Sequence, residues 1–185
     1  MFISAQFTKI FCNFAVYGNL DRLKFFWPYL GDNKNPTFDQ HIQKSVKYGV
    51  YNNTPLHFLA IHGMTEIVKF MLDHLKDPNP ANTLRRMTPL HQASRNGHVE
   101  IVKLITDKVD CWDQNLISEY NGYTPLHFAA QYGHLKCVKT LVERWGSGPW
   151  INIKTTEKRK ENSTALGLAK KEKHMDVVKF LERIH

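Results

Sequence analysis

The tetrapeptide Thr54-Pro55-Leu56-His57 occurs three times in this chain of 185 residues. It returns as Thr88-Pro89-Leu90-His91 and as Thr124-Pro125-Leu126-His127, so the copies begin 34 and 36 residues apart. A glycine follows each threonine by nine positions, and an apolar stretch with helical periodicity follows each glycine. The repetition indicates a unit of two short helices that is used several times along the chain.

Each copy of the motif has the residues that begin and end a short helix. Threonine is a favourable N-cap, and proline at the first helical position loses no hydrogen bond. The glycine comes about two turns later, where a left-handed C-terminal cap is wanted. The second helix carries an apolar stripe that one helix pair cannot bury, so we expect the next repeat to stack on it.

The motif and its spacing resemble the ankyrin repeat, a unit of about 33 residues that contains Thr-Pro-Leu-His. The match extends to Gly97-His98 and Gly133-His134, whereas the first copy departs from the pattern with Gly63-Met64. The resemblance implies an all-α fold: an ankyrin-repeat solenoid of about five helix-turn-helix repeats with hairpin-like loops.

Two weaker repeats flank the three clear ones, one on each side. Arg22 and Lys170 stand where the other repeats have an apolar or a small residue, and Lys173 replaces the helix-ending glycine of the last repeat. Arg22 and Lys170 predict polar outer faces at both ends, and hence a capped, self-contained solenoid. We predict a single ankyrin-repeat domain over 1–185, with an insertion at 35–50 and repeats at roughly 7–34, 51–80, 85–115, 121–148 and 161–185.

Composition and charge favour a soluble protein inside the cell. Hydrophobic residues make up 42% of the chain, no apolar run is long enough to span a bilayer, and the N-terminus lacks the pattern of a secretory signal. Cys12, Cys111 and Cys137 cannot all pair with one another, so we expect free thiols and a cytoplasmic or nuclear location. The formal net charge is +8, and the basic excess lies in 1–50 and 151–185.

Residues capable of catalysis or metal binding mostly follow the repeat. His57, His91 and His127 belong to the tetrapeptide, and in ankyrin proteins the matching histidines hydrogen-bond between neighbouring loops. The histidines outside the repeat pattern form no i, i+4 metal pair. No nucleophile with an orienting base and no phosphate-binding glycine loop is recognisable. We therefore predict no catalytic residue, no metal and no cofactor, and a protein that is not an enzyme.

The resemblance also implies where a partner binds, because ankyrin-like proteins use their hairpin tips and inner helices. Those positions lie just before each Thr-Pro and seven to eight residues after each threonine. Tyrosine and arginine, which are enriched among binding hot spots, are frequent there. The predicted partner-binding residues are Tyr51, Asn53, His62, Arg85, Met87, Arg95, Asn96, Tyr120, Asn121, Tyr123, Gln131 and Tyr132.

These features predict a scaffold or adaptor that holds another protein in its concave groove. One alternative is an inhibitor of a transcription factor or another signalling protein, similar to ankyrin proteins of the inhibitor-of-NF-kappa-B type. Those inhibitors usually present acidic surface, whereas this chain is basic. A third hypothesis is nucleic-acid binding through the basic ends, which the nearly neutral central repeats disfavour. We expect a monomer with a protein partner, no nucleic acid and no membrane.

Overall fold

The computed structural model of the protein describes residues 19–26, 53–82, 85–109, 116–118, 121–156 and 163–184. These residues form an all-α repeat fold, as predicted, with nine α-helices and one 3-10 helix within the described ranges. In chain order they are α1 (Leu20–Phe26), α2 (Pro55–His62), α3 (Thr65–Leu72), α4 (Pro89–Asn96), α5 (Val99–Lys108), α6 (Pro125–Gln131), α7 (Leu135–Trp145), the 3-10 helix (Pro149–Asn152), α8 (Ala165–Lys171) and α9 (Met175–Glu182).

Four helix pairs occupy the second to fifth predicted repeats: α2–α3, α4–α5, α6–α7 and α8–α9. Helix α1 lies within the first predicted repeat, 7–34. The rest of that repeat and the predicted insertion at 35–50 lie outside the described residues, so the number of about five repeats stays a prediction. In the part of the chain that the structure describes, no helix combines the length and apolarity needed to cross a membrane.

The helices stack in two rows. The first helices of the pairs, α2, α4, α6 and α8, pack on one another, and the second helices, α3, α5, α7 and α9, form the neighbouring row. Buried aliphatic side chains fill the space between the rows, among them Leu59, Leu90, Ile101 and Leu141. Each such side chain stabilises the fold by roughly 1.5–3 kcal/mol when it is fully buried. The core therefore runs continuously from repeat to repeat.

The tetrapeptide histidines cap the first helices from within their own repeat. The ring Nδ1 accepts the backbone N–H of the threonine three residues earlier, at 3.2 Å for His57, 3.0 Å for His91 and 3.1 Å for His127. The threonine Oγ1 also lies within 2.9 Å of Nδ1 in every copy. The motif thus satisfies amide groups that a helix N-terminus would otherwise leave without a partner.

The opposite ring nitrogen of the same histidines ties each repeat to the next. The Nε2 atoms contact backbone carbonyl oxygens of the following repeat: Met87 at 2.8 Å, Tyr123 at 3.2 Å and Ser163 at 3.2 Å. A carbonyl oxygen can only accept, so Nε2 carries the proton and the ring is the neutral Nε2–H tautomer. Burial lowers the pKa of all three histidines to about 4, outweighing the opposite effect of the carbonyl hydrogen bonds.

A second set of histidines packs on the helix-ending glycines. The Nε2 atoms of His98, His134 and His174 each lie 3.0 Å from a carbonyl oxygen of the preceding repeat. A Cβ atom added at Gly63, Gly97 or Gly133 would approach these rings to 2.7, 2.7 and 2.5 Å. The glycines also have left-handed backbones, with φ from 69° to 76°. The left-handed backbone therefore favours glycine, and the covering ring leaves no room for a Cβ atom.

The loops before the first helices are tight and hairpin-like. The N–H of Asn82 donates to the carbonyl of Met87 at 2.8 Å, and the N–H of Ser118 donates to the carbonyl of Tyr123 at 2.9 Å. Asn121 and Gly122 both have positive φ, at 63° and 68°, a conformation that asparagine and glycine adopt more readily than other residues. The carbonyl groups that accept from the histidines are therefore fixed by the turns themselves.

The polar substitutions predicted for the outer faces lie on the surface. Arg22 is exposed on α1. Lys170 is exposed on α8, and its Nζ lies 2.8 Å from a carboxylate oxygen of Glu182 on α9. Lys173 takes a left-handed backbone, with φ 62°, at the position where the preceding repeats have glycine.

We expect His91→Ala to lower the free energy of unfolding by about 3 kcal/mol, because it leaves the Thr88 N–H and two carbonyl oxygens without this partner in a buried site. Urea denaturation measures the loss. The control is His62→Ala at an exposed position, where a change under about 1 kcal/mol is expected. Equal losses in the two variants would contradict the role assigned to His91.

Acid is expected to destabilise the protein through the same histidines. Because their pKa is about 4 in the fold and 6.5 without it, the unfolded chain binds more protons between these values. The destabilisation is absent above pH 6.5, grows as the pH falls, and is complete below about pH 4. Each histidine contributes about 1.4 kcal/mol per pH unit. Urea midpoints that stay constant from about pH 7 to about pH 5 would contradict this account.

The covering ring adds to the backbone strain at Gly133. This glycine has φ 73°, and a Cβ there would lie 2.5 Å from the ring of His174. We expect Gly133→Ala to lower the free energy of unfolding by about 1 kcal/mol through the strain. It should lose at least about 1 kcal/mol more because the His174 ring must move. In a His174→Ala background only the strain should remain, and thermal and urea unfolding with and without His174 measure the difference. Equal costs in the two backgrounds would show that the ring moves aside freely.

Candidate protein-binding surface

The predicted partner-binding residues fall into three groups. Tyr51 and Tyr120 lie outside the described residues. Asn53, Met87 and Tyr123 are buried, with 8%, 3% and 6% of their surface exposed. The remaining seven are exposed or half-buried: His62, Arg85, Arg95, Asn96, Asn121, Gln131 and Tyr132.

Asn53 has a structural environment. Its Oδ1 accepts from the side-chain amide of Asn82 at 2.9 Å, which joins the entry to α2 to the hairpin of the next repeat. The Oδ1 of Asn82 in turn accepts from the backbone N–H groups of Arg85 and Met87, each at 3.1 Å. Asn53 therefore stabilises the hairpin of the next repeat, and little of its surface faces solvent.

Met87 and Tyr123 form a second, smaller apolar cluster with Phe128 and Leu168. The rings of Tyr123 and Phe128 have centroids 5.0 Å apart. The sequence predicts a hairpin tip at the position before each Thr-Pro pair. In the structure the hairpin packs on the first helices, so the side chain at this position is buried. These two residues offer a partner almost no surface, and they act by supporting the hairpins.

The exposed residue Arg95, near the end of α4, packs against aromatic rings of the following repeat. Its guanidinium carbon lies 5.9 Å from the ring centroid of Phe128 and 5.5 Å from that of Tyr132. Both separations fall within the range of cation–π attraction. Phe128 is buried, whereas Tyr132 keeps 43% of its surface exposed. An arginine and a large aromatic ring are thus presented together at the surface.

The backbone beneath this pair is also fixed. The Nε2 atom of His134 donates to the carbonyl of Arg95 at 3.0 Å, and the His134 ring stacks on Tyr132 at 6.4 Å with an interplanar angle of 14°. Arg95 is therefore held at its main chain by one repeat-spanning hydrogen bond and at its side chain by two rings. We call Arg95, Phe128, Tyr132 and His134 the arginine–aromatic cluster.

Phe128 was not among the predicted site residues, although it supports Arg95 from below. Its signal in the sequence is an aromatic residue four positions after the Thr of the motif, which also occurs at Phe58. Phe58 also contacts an exposed side chain, but one in its own repeat, since its ring centroid lies 4.2 Å from that of His62. An aromatic residue at this position therefore supports an exposed side chain near the end of a first helix.

Charge is divided unequally between the two rows of helices. The first helices α2, α4, α6 and α8 contain no aspartate or glutamate but carry Arg95, Lys170 and Lys171. The second helices carry acidic and basic residues together, with Glu66, Glu100, Glu143 and Asp176 on the four of them. Among the described residues, the exposed side of the first row is thus basic and aromatic.

The described residues show little that suits catalysis. Burial raises the pKa of the Cys137 thiol to about 11, so it remains protonated and a poor nucleophile at neutral pH. It lies in the core, where it packs as a small apolar side chain. Within the described ranges, no three histidine, cysteine, aspartate or glutamate residues are grouped so that they could hold a metal ion.

A family model described as "Ankyrin repeats (3 copies)" matches the chain over residues 13–115, 56–155 and 107–183. This protein belongs to the ankyrin-repeat family. Ankyrin repeats are in general protein–protein interaction modules, and the family is typically not enzymatic. A search of curated proteins gave no match to this ankyrin-repeat chain.

Proposed function

We propose that this ankyrin-repeat protein is a scaffold or adaptor that binds a partner protein across the exposed side of its first-helix row. The observation that carries the proposal is the arginine–aromatic cluster, in which Tyr132 and Arg95 are exposed yet held in place. The surface continues through His62, Asn96 and Gln131, and through Arg85 and Asn121 on the hairpins.

The arrangement has the physical properties of a binding hot spot. Tyrosine and arginine provide large contact areas, and side chains that are already ordered lose little conformational entropy when a partner binds. An isolated exposed arginine would lose rotamer freedom on binding. Arg95 has lost part of that freedom already, through its contacts with Phe128 and Tyr132. Its immobilisation by a partner therefore costs less.

An inhibitor of a signalling protein would use the same surface. The two functions differ in their effect on the partner, since an inhibitor would abolish the partner's activity and an adaptor would not. Nucleic-acid binding is not supported by the described helices, since acidic residues interrupt the basic ones on the second row. We propose a monomer without enzymatic activity. We place it in the cytoplasm or nucleus, where a free thiol such as Cys137 is stable.

The test is affinity capture with a surface variant that leaves the core intact. In Arg95→Ala/Tyr132→Ala, two exposed side chains are truncated, and we expect specific partners to be retained at least roughly tenfold less, since hot-spot truncations cost about 2 kcal/mol or more. Quantitative mass spectrometry of proteins captured from lysate, with equal amounts of each folded bait, measures the change.

The matched control is Lys69→Ala/Lys103→Ala, which truncates two exposed side chains on the second helices α3 and α5. This variant should retain the same proteins as the wild type. If both double variants captured the wild-type set, the exposed side of the first row would not be the binding surface. If only the control variant lost partners, the second row would take its place.

A further inference from the structure

The unequal distribution of charge between the helix rows indicates which chemical class of partner the exposed side of the first row would bind. Ten aspartate and glutamate residues lie in the described part of the chain, and none of them lies on a first helix. The second helices and the turns after them hold eight of these acids: Glu66, Asp73, Asp77, Glu100, Asp107, Glu143, Asp176 and Glu182. The exceptions are Asp21 on α1 and Glu172, directly after α8.

The basic residues on the second row are partly paired with this acidic set. Lys108 lies 3.2 Å from Asp73, and Arg144 lies 3.8 Å from Asp107 and donates from Nε to the carbonyl of Thr106 at 2.9 Å. Arg95 differs from them. Among the described residues no carboxylate pairs with its guanidinium, whose side-chain contacts are the two aromatic rings.

The two ring contacts of Arg95 provide no oxygen acceptor for its guanidinium N–H groups. Arginine carries five N–H donors, which lie along the edge of one plane. An acceptor with two oxygen atoms in one plane, such as a carboxylate, meets that edge with two parallel hydrogen bonds. Tyr132 lies beside it with its ring partly exposed, so an apolar side chain next to the carboxylate would find a contact there.

We propose that the partner docks an acidic segment on this surface, with an aspartate or glutamate carboxylate paired to Arg95 and a neighbouring apolar or aromatic side chain packed on Tyr132. This inference rests on the proposed function and specifies the chemistry of the partner. A carboxylate fits better than a phosphate group. The residues next to Arg95 and Tyr132 in sequence are the neutral amides Asn96 and Gln131, whereas a doubly charged phosphate is typically bound by a cluster of arginines.

The experiment selects peptides from a displayed library of random dodecapeptides on the immobilised full chain. We expect enriched sequences to carry an aspartate or glutamate within a few residues of an apolar or aromatic residue. The strongest peptide is then synthesised with a fluorescent label, and its dissociation constant is measured by anisotropy. Arg95→Gln in the protein and Glu→Gln or Asp→Asn in the peptide should each weaken binding by roughly tenfold or more.

Three further binding measurements test whether Arg95 pairs with the carboxylate of the peptide. If the two groups contact each other, combining both changes should weaken binding little beyond either change alone. Lys103→Gln, which removes a charge from the second row, should leave the affinity unchanged. Arg95→Lys keeps the charge but not the planar fork, so it should weaken binding by several-fold. Matching circular dichroism and urea midpoints for the Arg95 variants and the wild type ensure that folding is not the cause.

The proposal is overturned if the enriched peptides lack acidic residues, if none is enriched, or if Arg95→Gln leaves their affinity unchanged. Binding of neutral peptides that Tyr132→Ala abolishes would overturn the acidic segment but support the proposed surface. A phosphoserine in place of the acidic residue that tightened binding tenfold would overturn the carboxylate assignment. If the peptide experiment failed but Arg95→Ala/Tyr132→Ala still lost partners in the capture experiment, the acidic segment would be overturned and the proposed function would remain supported.

Discussion

Each tetrapeptide histidine must accept a hydrogen bond on one ring nitrogen and donate one from the other, in a site that excludes water. The acceptor side caps a helix within its own repeat, and the donor side reaches a carbonyl of the next repeat. A protonated ring would have two donors and could no longer accept the threonine N–H. The same side chain therefore links the start of a helix to the stacking of the repeats, and both depend on its neutral state.

The second set of histidines connects the helix-ending glycines to the exposed surface. A ring from one repeat covers the helix-ending glycine of the repeat before it, as His134 covers Gly97. The same ring fixes the carbonyl of Arg95 and stacks on Tyr132. The structural contacts of the stack thus reach the surface and hold two exposed side chains in place.

The sequence was sufficient to predict the helices because their signals are local. Thr54, Thr88, Thr124 and Thr164 all lie at N-caps, and Gly63 and Gly97 at C-caps. The surface was harder to predict, because exposure depends on how a hairpin leans on the neighbouring repeat. That tilt buries Met87 and Tyr123, and no local pattern reports it. The support that Phe128 gives to Arg95 likewise joins residues of different repeats, 33 positions apart.

The unequal charge of the two helix rows also has a consequence for kinetics. Among the described residues, a basic first row beside a second row of mixed charge contributes an electric dipole directed across the two rows. Such a dipole turns an approaching charged molecule before the two surfaces meet, which raises the fraction of encounters that begin in a productive orientation. The torque fades with distance over a Debye length of about 8 Å at physiological salt. The repeat array therefore influences the rate at which partners arrive as well as the contacts they make.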